Sequence, residues 1–444
     1  MKEIEQKFKK IIDRQMQYGI HFDLVEANEI AKELNIASIE LKSKIRSLGI
    51  KSDLNAREEL IKELLDQGWQ PKILKKTGDP CLNKKVFEIE QEEVFKILAQ
   101  YYKTEKKLQL LKTGDTSFIK CCDPKTSRIY PQIDPDGANT HRMITTNPNI
   151  TQLPKSMRKL LNAPKGKELL SIDAKSLELV MLGFYLIVFD QGKYASLANS
   201  TDVHEYYKEK LHLNSRDEAK TIIYGILYGR NHTAVGVDIY QENILDFNQK
   251  EIEEEKKLLK IKNFNNREFV SLDKDTYIEY SPYIAKASLY GKYVINKFYE
   301  ETQGLKQLIE TLKIKKEIYA IDGRKLNIRA DYTILNTLLQ SAGAITIKHI
   351  TNNLENELCN KFKYGEDYAF TANFHDEIIM EINPSIKDQI KAIAQSTFIR
   401  SSKELMASAL PQHLHQYIHP VYGMTYSPRI NAGVSSINKF SLHL

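Results

Sequence analysis

The stretch that most confines the fold is ELLSIDAKSLELVMLGFYLIVF, residues 168–189. It reads as a short buried strand ending at Asp173, followed by a strongly apolar helix from Leu177 to about Val188. Its longest apolar run, Leu179 to Phe189, is about half of the ~20 residues a membrane span requires. A buried strand that ends in a carboxylate aims that carboxylate at a surface. A second such carboxylate appears in TANFHDEIIMEI, which reads as a hairpin with alternating apolar residues on both sides of a polar turn at His375, Asp376 and Glu377. Side by side, the two strands would bring Asp173 and Asp376 together. Like charges at close range repel, so such a pair calls for cations between them. Mg²⁺ suits this task, because it prefers a few carboxylates plus substrate phosphates to an all-protein cage. Two such ions, roughly 3.5–4 Å apart, activate a hydroxyl and stabilise a leaving oxygen in an in-line displacement. An aspartate at a strand end is more often a plain turn residue, so the pair gains meaning only from what lies between.

Between them lies NSRDEAKTIIYGILYGR. Ser215 and Glu218 have capping-box spacing, which fixes the start of a helix running to Tyr228. Arg216, Lys220, Tyr224 and Tyr228 recur at every fourth position and form one stripe on a single face. Two cations can hold a polyphosphate. Two rings can stack on a base and a sugar. Gly225 costs the helix about 1 kcal/mol, which fits either the close approach of something flat or helix packing. An ordinary amphipathic helix with solvated cations explains the spacing equally well.

Composition sets wider bounds. A chain of 444 residues exceeds one typical core, so two or three lobes are expected. With 42% hydrophobic and 27% charged residues it is globular in character. The net charge of +6 permits a polyanionic partner without demanding one. Cys81, Cys121, Cys122 and Cys359 follow neither metal spacing nor a disulfide framework. The start, MKEIEQKFKK, has no apolar signal core. A cytoplasmic setting, in a bacterial cell or a phage-infected host, is the expectation, with an organelle of an AT-rich eukaryote as the alternative and no membrane partner.

Along the chain, Asn28–Arg46 and Ala56–Leu65 show helical periodicity, as do Thr337–Leu354 and a long amphipathic segment from Pro384 towards Met406. Lys103, Lys106, Lys107 and Lys112 cluster in YYKTEKKLQLLK, as a solvated face or a phosphate contact. Prolines punctuate a loop-rich stretch from Ile129 to Gly166, and Asp238–Ser288 reads as charged and irregular.

Taken together, these motifs resemble family A DNA polymerases, above all the replicative polymerases of short-tailed phages. SIDAKSLELVMLG is similar to that family's first carboxylate motif, SRDEAKTIIYGILYG to its nucleotide-binding fingers helix, and FHDEIIMEI to its second carboxylate motif. Further matches follow in the family's order: GWQPKILKKTGDP, IYPQIDPDGANTHRMITTNPNITQLP, STDVHEYY, IDGRKLNIRA and LNTLLQSAGAITIK.

The resemblance implies an α+β right-hand polymerase, with an antiparallel-sheet palm and mostly helical thumb and fingers. Residues 1–24 would start the palm, 25–115 form the thumb, 116–195 the palm with the first carboxylate, 196–330 the fingers with an insertion at 238–288, and 331–444 the rest of the palm. Asp173, Asp376 and the carbonyl of Ala174 would bind two Mg²⁺ ions, with Mn²⁺ as a substitute, and Glu377 would support them. Arg216, Lys220 and His204 would hold the triphosphate, Lys220 as part of the catalytic set. Tyr224 would pack on the incoming sugar and base, Tyr228 would stack near the templating base, and Glu178 would exclude a ribose 2′-hydroxyl. Arg142, Asn336 and Gln340 would read minor-groove edges, which present similarly placed acceptors for all pairs. His375 would sit by the primer end, and Arg324 and Lys325 would touch DNA backbone. The implied partners are primer-template DNA and deoxynucleoside triphosphates, with a separate exonuclease, helicase–primase or processivity factor as candidate associates of a monomer.

Some features depart from the family pattern. The thumb-like segment begins near residue 25, which leaves no room for a preceding exonuclease domain, and Gly49 to Asn55 runs straight into the next helix without a processivity-factor loop. His141 stands where relatives often carry glycine, and Lys175 and Ser176 where relatives vary. His413, His415 and His419 lack the spacing of a metal cluster. The rival readings are a gap-filling repair polymerase, a polymerase that makes or copies RNA, and an inactive DNA-binding accessory relative.

Overall fold

The computed structural model describes residues 2–241, 245, 247–315, 317–374, 376–418 and 424–429. The strand expected to end at Asp173 runs Glu168–Ala174 and lies inside a four-stranded antiparallel sheet. Its order is Tyr368–Phe374, Glu377–Ile382, Glu168–Ala174, Met424–Arg429. Asp173 pairs with Glu377, Ile172 with Ile378 and Leu170 with Met380. The two faces of the sheet feed different cores. Leu170, Ile172, Ile378 and Met380 join the large core with the helices Leu177–Asp190 and Ile334–Cys359. Leu169, Ile379, Ala372 and Phe374 join Ile20, Phe22 and Leu160. Cover on both faces explains why Tyr368–Phe374 is buried at every position rather than at alternate ones. Glu381 is the charged exception, 2% exposed. Arg128 donates to it at 2.9 and 3.1 Å, and the Tyr18 hydroxyl at 2.5 Å.

The helix Leu177–Asp190 is buried along nearly its whole length, as its composition requires. It is bounded by left-handed residues, Ser176 before it and Gln191 and Gly192 after it. Truncating Leu179 or Leu182, both fully buried, to alanine costs about 2–5 kcal/mol.

Other expected helices form with shifted ends: Leu24–Ser47, where the Asp23 side chain accepts the Glu26 N–H, Arg57–Asp66, Ile334–Cys359 and Lys387–Ser408. The lysine-rich stretch divides into an α-helix, Glu93–Leu108, and a π-helical turn, Gln109–Thr113. Among the described residues no helix is long and apolar enough to cross a membrane.

The described residues of the segment 238–288 form regular elements rather than an irregular stretch. It contains the helix Gln249–Leu258, the strands Ile261–Phe264, Arg267–Ser271 and Thr276–Glu279, and the start of the helix Pro282–Glu301. Asn265 and Asn266 both have positive φ, 50° and 60°, which the two turn residues of a tight hairpin need. That Asn-Asn pair was the legible signal. The hairpin's sheet is completed by Ile73–Lys75, which pairs with Thr276–Glu279. One core accordingly joins Ile45, Leu60 and Phe95 to Val270, Ile278 and Ile284, linking two segments expected to belong to separate lobes. The helices His232–Ile239 and Pro282–Glu301 cross in backbone contact: a Cβ on Gly236 would lie 1.7 Å from the Ala287 carbonyl oxygen.

Candidate active site

Strand pairing brings the two aspartates together. The Ala174 N–H donates to the carbonyl of Asp376 at 3.3 Å, which sets Asp376 against the end of Glu168–Ala174. Asp173 and Asp376 are both half-buried. Burial pushes the Asp376 carboxyl above its ordinary range, and the carboxylates of Glu178 and Glu377 push the same way, against the pull of Arg142. Glu377 is braced from the side: Ser171 Oγ donates to it at 2.5 Å and Arg158 approaches at 3.5 Å. Arg158 also lies over the Phe374 ring at 4.5 Å. Sequence reading did not single out Arg158, although it sits in the basic run KSMRKL.

Glu178 stands one turn into the apolar helix and is 8% exposed. Its carboxylate is claimed twice, by Arg142 Nη2 and by the Tyr228 hydroxyl, each at 2.5 Å. Gln340 and Asn336 lie one turn apart on Ile334–Cys359, and the Asn336 Oδ1 is buried with no partner among the described residues. Glu178 ties the Arg142 loop to the end of the fingers helix.

That helix runs Arg216–Leu227. Ser215 Oγ accepts the Glu218 N–H at 3.1 Å, but the Glu218 carboxylate accepts from the Asn214 N–H at 2.6 Å, so only half of the expected capping box forms. Gly225 faces Arg230, whose Cδ would lie 3.3 Å from an added Cβ, which favours the packing explanation. Arg216 and Lys220 are exposed. Arg216 Nε donates to Asp202 at 2.9 Å, and Asp202 also caps the helix Val203–Lys210. Asp202 was missed in STDVHEYY, where it reads as a cap alone. The second residue of that helix, His204, is 3% exposed, and its Nε2 has no partner among the described residues. Burial, then the nearby cations Arg216, Lys220 and Lys175, push its pKa down to about 4, against the opposing pull of Asp202. Tyr224 lies 5.9 Å, centroid to centroid, from both His204 and Tyr228. Its hydroxyl has no hydrogen-bond partner among the described residues, whereas that of Tyr228 is committed to Glu178.

Arg324 and Lys325 part company. Arg324 is 9% exposed and spends its guanidinium on Asp322 and Glu5. Lys325 is exposed and pairs with Glu317 at 2.6 Å. His375 and His419 lie outside the described residues. His415 Nε2 lies 2.9 Å from the Leu410 carbonyl, and among the described residues no three His, Cys, Asp or Glu side chains group as a metal cage. Lys103 and Lys106 are exposed and line a cleft of about 1120 Å³ with Arg57 and Lys84.

Comparison with known proteins gives a consistent picture. The model of DNA polymerase family A matches residues 25–413. The DNA-directed DNA polymerases of Enterobacteria phage T3 and Escherichia phage T7 are each 28% identical over 351 residues, covering 73% of this chain and 46% of theirs. DNA polymerase I of Borreliella burgdorferi is 25% identical over 413 residues, covering 88% of this chain and 41% of its own. The chain thus spans less than half the length of these relatives. In three dimensions it is similar to the POL domain of Pol1 from M. smegmatis, solved with DNA primer-template and dNTP. The TM-score is 0.72 at 15% identity, over 95% of this chain and 69% of that one.

Proposed function

The chain belongs to DNA polymerase family A, and from that premise we propose that it is a DNA-directed DNA polymerase that extends a primer 3′ end with deoxynucleotides. The observation that carries this reading is the meeting of Asp173 and Asp376, through the Ala174–Asp376 hydrogen bond, in a chain whose fingers helix presents exposed Arg216 and Lys220. A polyanionic substrate is what such a pairing of clustered carboxylates with open cations would serve.

The donor set fits a hard divalent ion. Asp173, Asp376 and the Ala174 carbonyl offer only oxygen, and Asp376 sits among carboxylates in a partly desolvated place that a cation would relieve. When bound there, two Mg²⁺ ions would supply Lewis-acid activation of the primer hydroxyl and stabilisation of the leaving oxygen. The primer 3′-oxygen forms a bond to the α-phosphorus, the α–β bridging P–O bond breaks, pyrophosphate leaves, and the hydroxyl proton passes to solvent. Arg216, Lys220 and neutral His204 hold the triphosphate, so that positioning and electrostatics carry the acceleration. Tyr224 packs on the sugar. Glu178, fixed by Arg142 and Tyr228, excludes a 2′-hydroxyl. Asn336, Gln340 and Arg142 face minor-groove edges of the new pair.

Of the two roles, replication is the one proposed here, with gap-filling repair as its rival. The test is primer extension by the purified chain with Mg²⁺ and four deoxynucleotides on a long single-stranded template. Template-directed products that lengthen well beyond a short gap are expected. Failure to extend any primer would refute the activity, and arrest after a few nucleotides would shift the role to repair.

A further inference from the structure

The N-terminal helix Lys2–Tyr18 lies outside the residues that the family model matches, yet it delivers a carboxylate to the palm interior. Glu5 accepts from Lys348 Nζ at 2.9 and 3.0 Å and from Arg324 Nη1 at 2.7 Å. Lys348 is 2% exposed and Arg324 9%, so neither cation has bulk water as an alternative partner. Both cations also reach Asp136: its Oδ1 lies 3.2 Å from Lys348 Nζ and 3.9 Å from Arg324 Nη1. The same Oδ1 is 2.9 Å from His141 Nδ1.

His141 has φ of 58°, a left-handed conformation in which a residue with a Cβ is strained and glycine is not. Something must hold it there, and the side-chain restraint on it is the Asp136 contact. The loop is closed by two backbone bonds: the Ala138 N–H donates to the Arg142 carbonyl at 3.1 Å, and the His141 N–H to the Ala138 carbonyl at 2.9 Å. The residue that follows His141 is Arg142, which grips Glu178.

We propose that Glu5 is a positioning residue for Arg142, acting through Lys348, Arg324 and the carboxylate of Asp136 that they share with His141. The inference rests on the reading of Arg142 and Glu178 as groups of the nucleotide pocket. With Glu5 in place, the two buried cations are largely satisfied by Glu5 and Asp322, and Asp136 can divide its carboxylate between them and His141. Without the Glu5 charge, Asp136 becomes the main acceptor left to Lys348 and is drawn inward. The His141 turn then loses its restraint, and Arg142 loses its aim at Glu178.

The experiment is a double-mutant cycle on primer extension with the full chain, using Glu5→Gln and Arg142→Ala singly and together, below the melting transition of each variant. Glu5→Gln alone is expected to lower kcat/KM for the correct deoxynucleotide about tenfold and to weaken discrimination against ribonucleotides. In the Arg142→Ala background the same change is expected to cost less than about twofold, because coupled residues do not add. Glu5→Asp should restore part of the loss. Equal fold losses in both backgrounds, or no loss in either, would overturn the inference while leaving the polymerase reading intact. Should Glu5→Gln not fold, the cycle is run with Asp136→Asn, which removes the shared acceptor and carries the same two outcomes. Absence of extension by the unmodified chain would remove the functional reading and this inference together.

Discussion

On the palm side of the pocket, charges are half-buried or buried and are met from within the protein. Glu178 has Arg142 and Tyr228, and Glu377 has Ser171 and Arg158. On the fingers side, Arg216 and Lys220 are exposed, and the partner of Arg216 is a half-buried aspartate at 2.9 Å. Burying a charge is costly unless its partners are fixed in advance, so the palm groups are held to their geometry by the fold. Solvated cations cost the fold little and gain their geometry from whatever anion arrives. The palm groups should therefore act through fixed geometry, in the chemical step and in sugar selection at Glu178, and the fingers cations chiefly through affinity for the nucleotide.

The largest effect that could break this contrast comes from the carboxylates. Asp173→Asn or Asp376→Asn should slow single-turnover extension by about a thousandfold or more, on the order of 4 kcal/mol of barrier, with DNA affinity little changed. Near-normal rates in either variant would remove the palm from the chemistry. Next comes Glu178→Ala, expected to raise ribonucleotide incorporation by about a hundredfold relative to deoxynucleotides. The same change strands Arg142 and Tyr228, so a fall in melting temperature should accompany it. Unchanged discrimination would leave Glu178 as a clasp and no gate.

On the fingers side the expected effects are smaller. The Tyr224 hydroxyl, uncommitted among the described residues, can hydrogen-bond near a triphosphate and stand in for a missing sugar 3′-hydroxyl. The unmodified chain should accept dideoxynucleotides almost as readily as deoxynucleotides, and Tyr224→Phe should reject them by about tenfold or more while ordinary extension survives. Single-nucleotide incorporation with both substrates decides the matter; an unaltered ratio places Tyr224 away from the sugar. The last effect is on stability rather than on activity. His204 titrates near 4 in the folded chain, held down first by burial and then by Arg216, against about 6.5 when unfolded. The folded state thus favours the neutral ring. Its stabilising contribution is complete above about pH 6.5 and is lost as pH falls towards 4, with a slope of at most one proton. Urea titrations across that window should show a flatter profile for His204→Gln than for the unmodified chain, and identical slopes would count against the buried neutral imidazole.

Local signals were legible and distant ones were not. The strand ending at Asp173, the carboxylate hairpin and the stripe of Arg216, Lys220, Tyr224 and Tyr228 all follow from periodicity and turn chemistry within a few residues. The ion pair of Arg324 with Glu5 was not legible, because Glu5 lies at the other end of the chain, beyond the reach of any spacing rule. The clasp on Glu178 was hidden for the same reason, since its partners come from two different segments. In the segment 238–288 the many charges masked short strands whose apolar residues, Phe269, Val270, Tyr277 and Ile278, are few but fully used. The Asn-Asn turn there was readable, while its pairing with Ile73–Lys75 was not.

The placement of Glu168–Ala174 between partners drawn from much later in the chain also sets a timetable for synthesis. Asp173 leaves the ribosome some two hundred residues before Asp376, an interval of about 10–40 s at roughly 5–20 residues per second. During that interval the strand has no neighbour on either edge, and its apolar residues must be sheltered by helices already made or by a chaperone. A nascent or prematurely terminated chain can carry the fingers helix and its cations, but it has only half of the carboxylate pair. On the proposed reading, fragments that stop short of the hairpin would lack Asp376 and be inert towards primers.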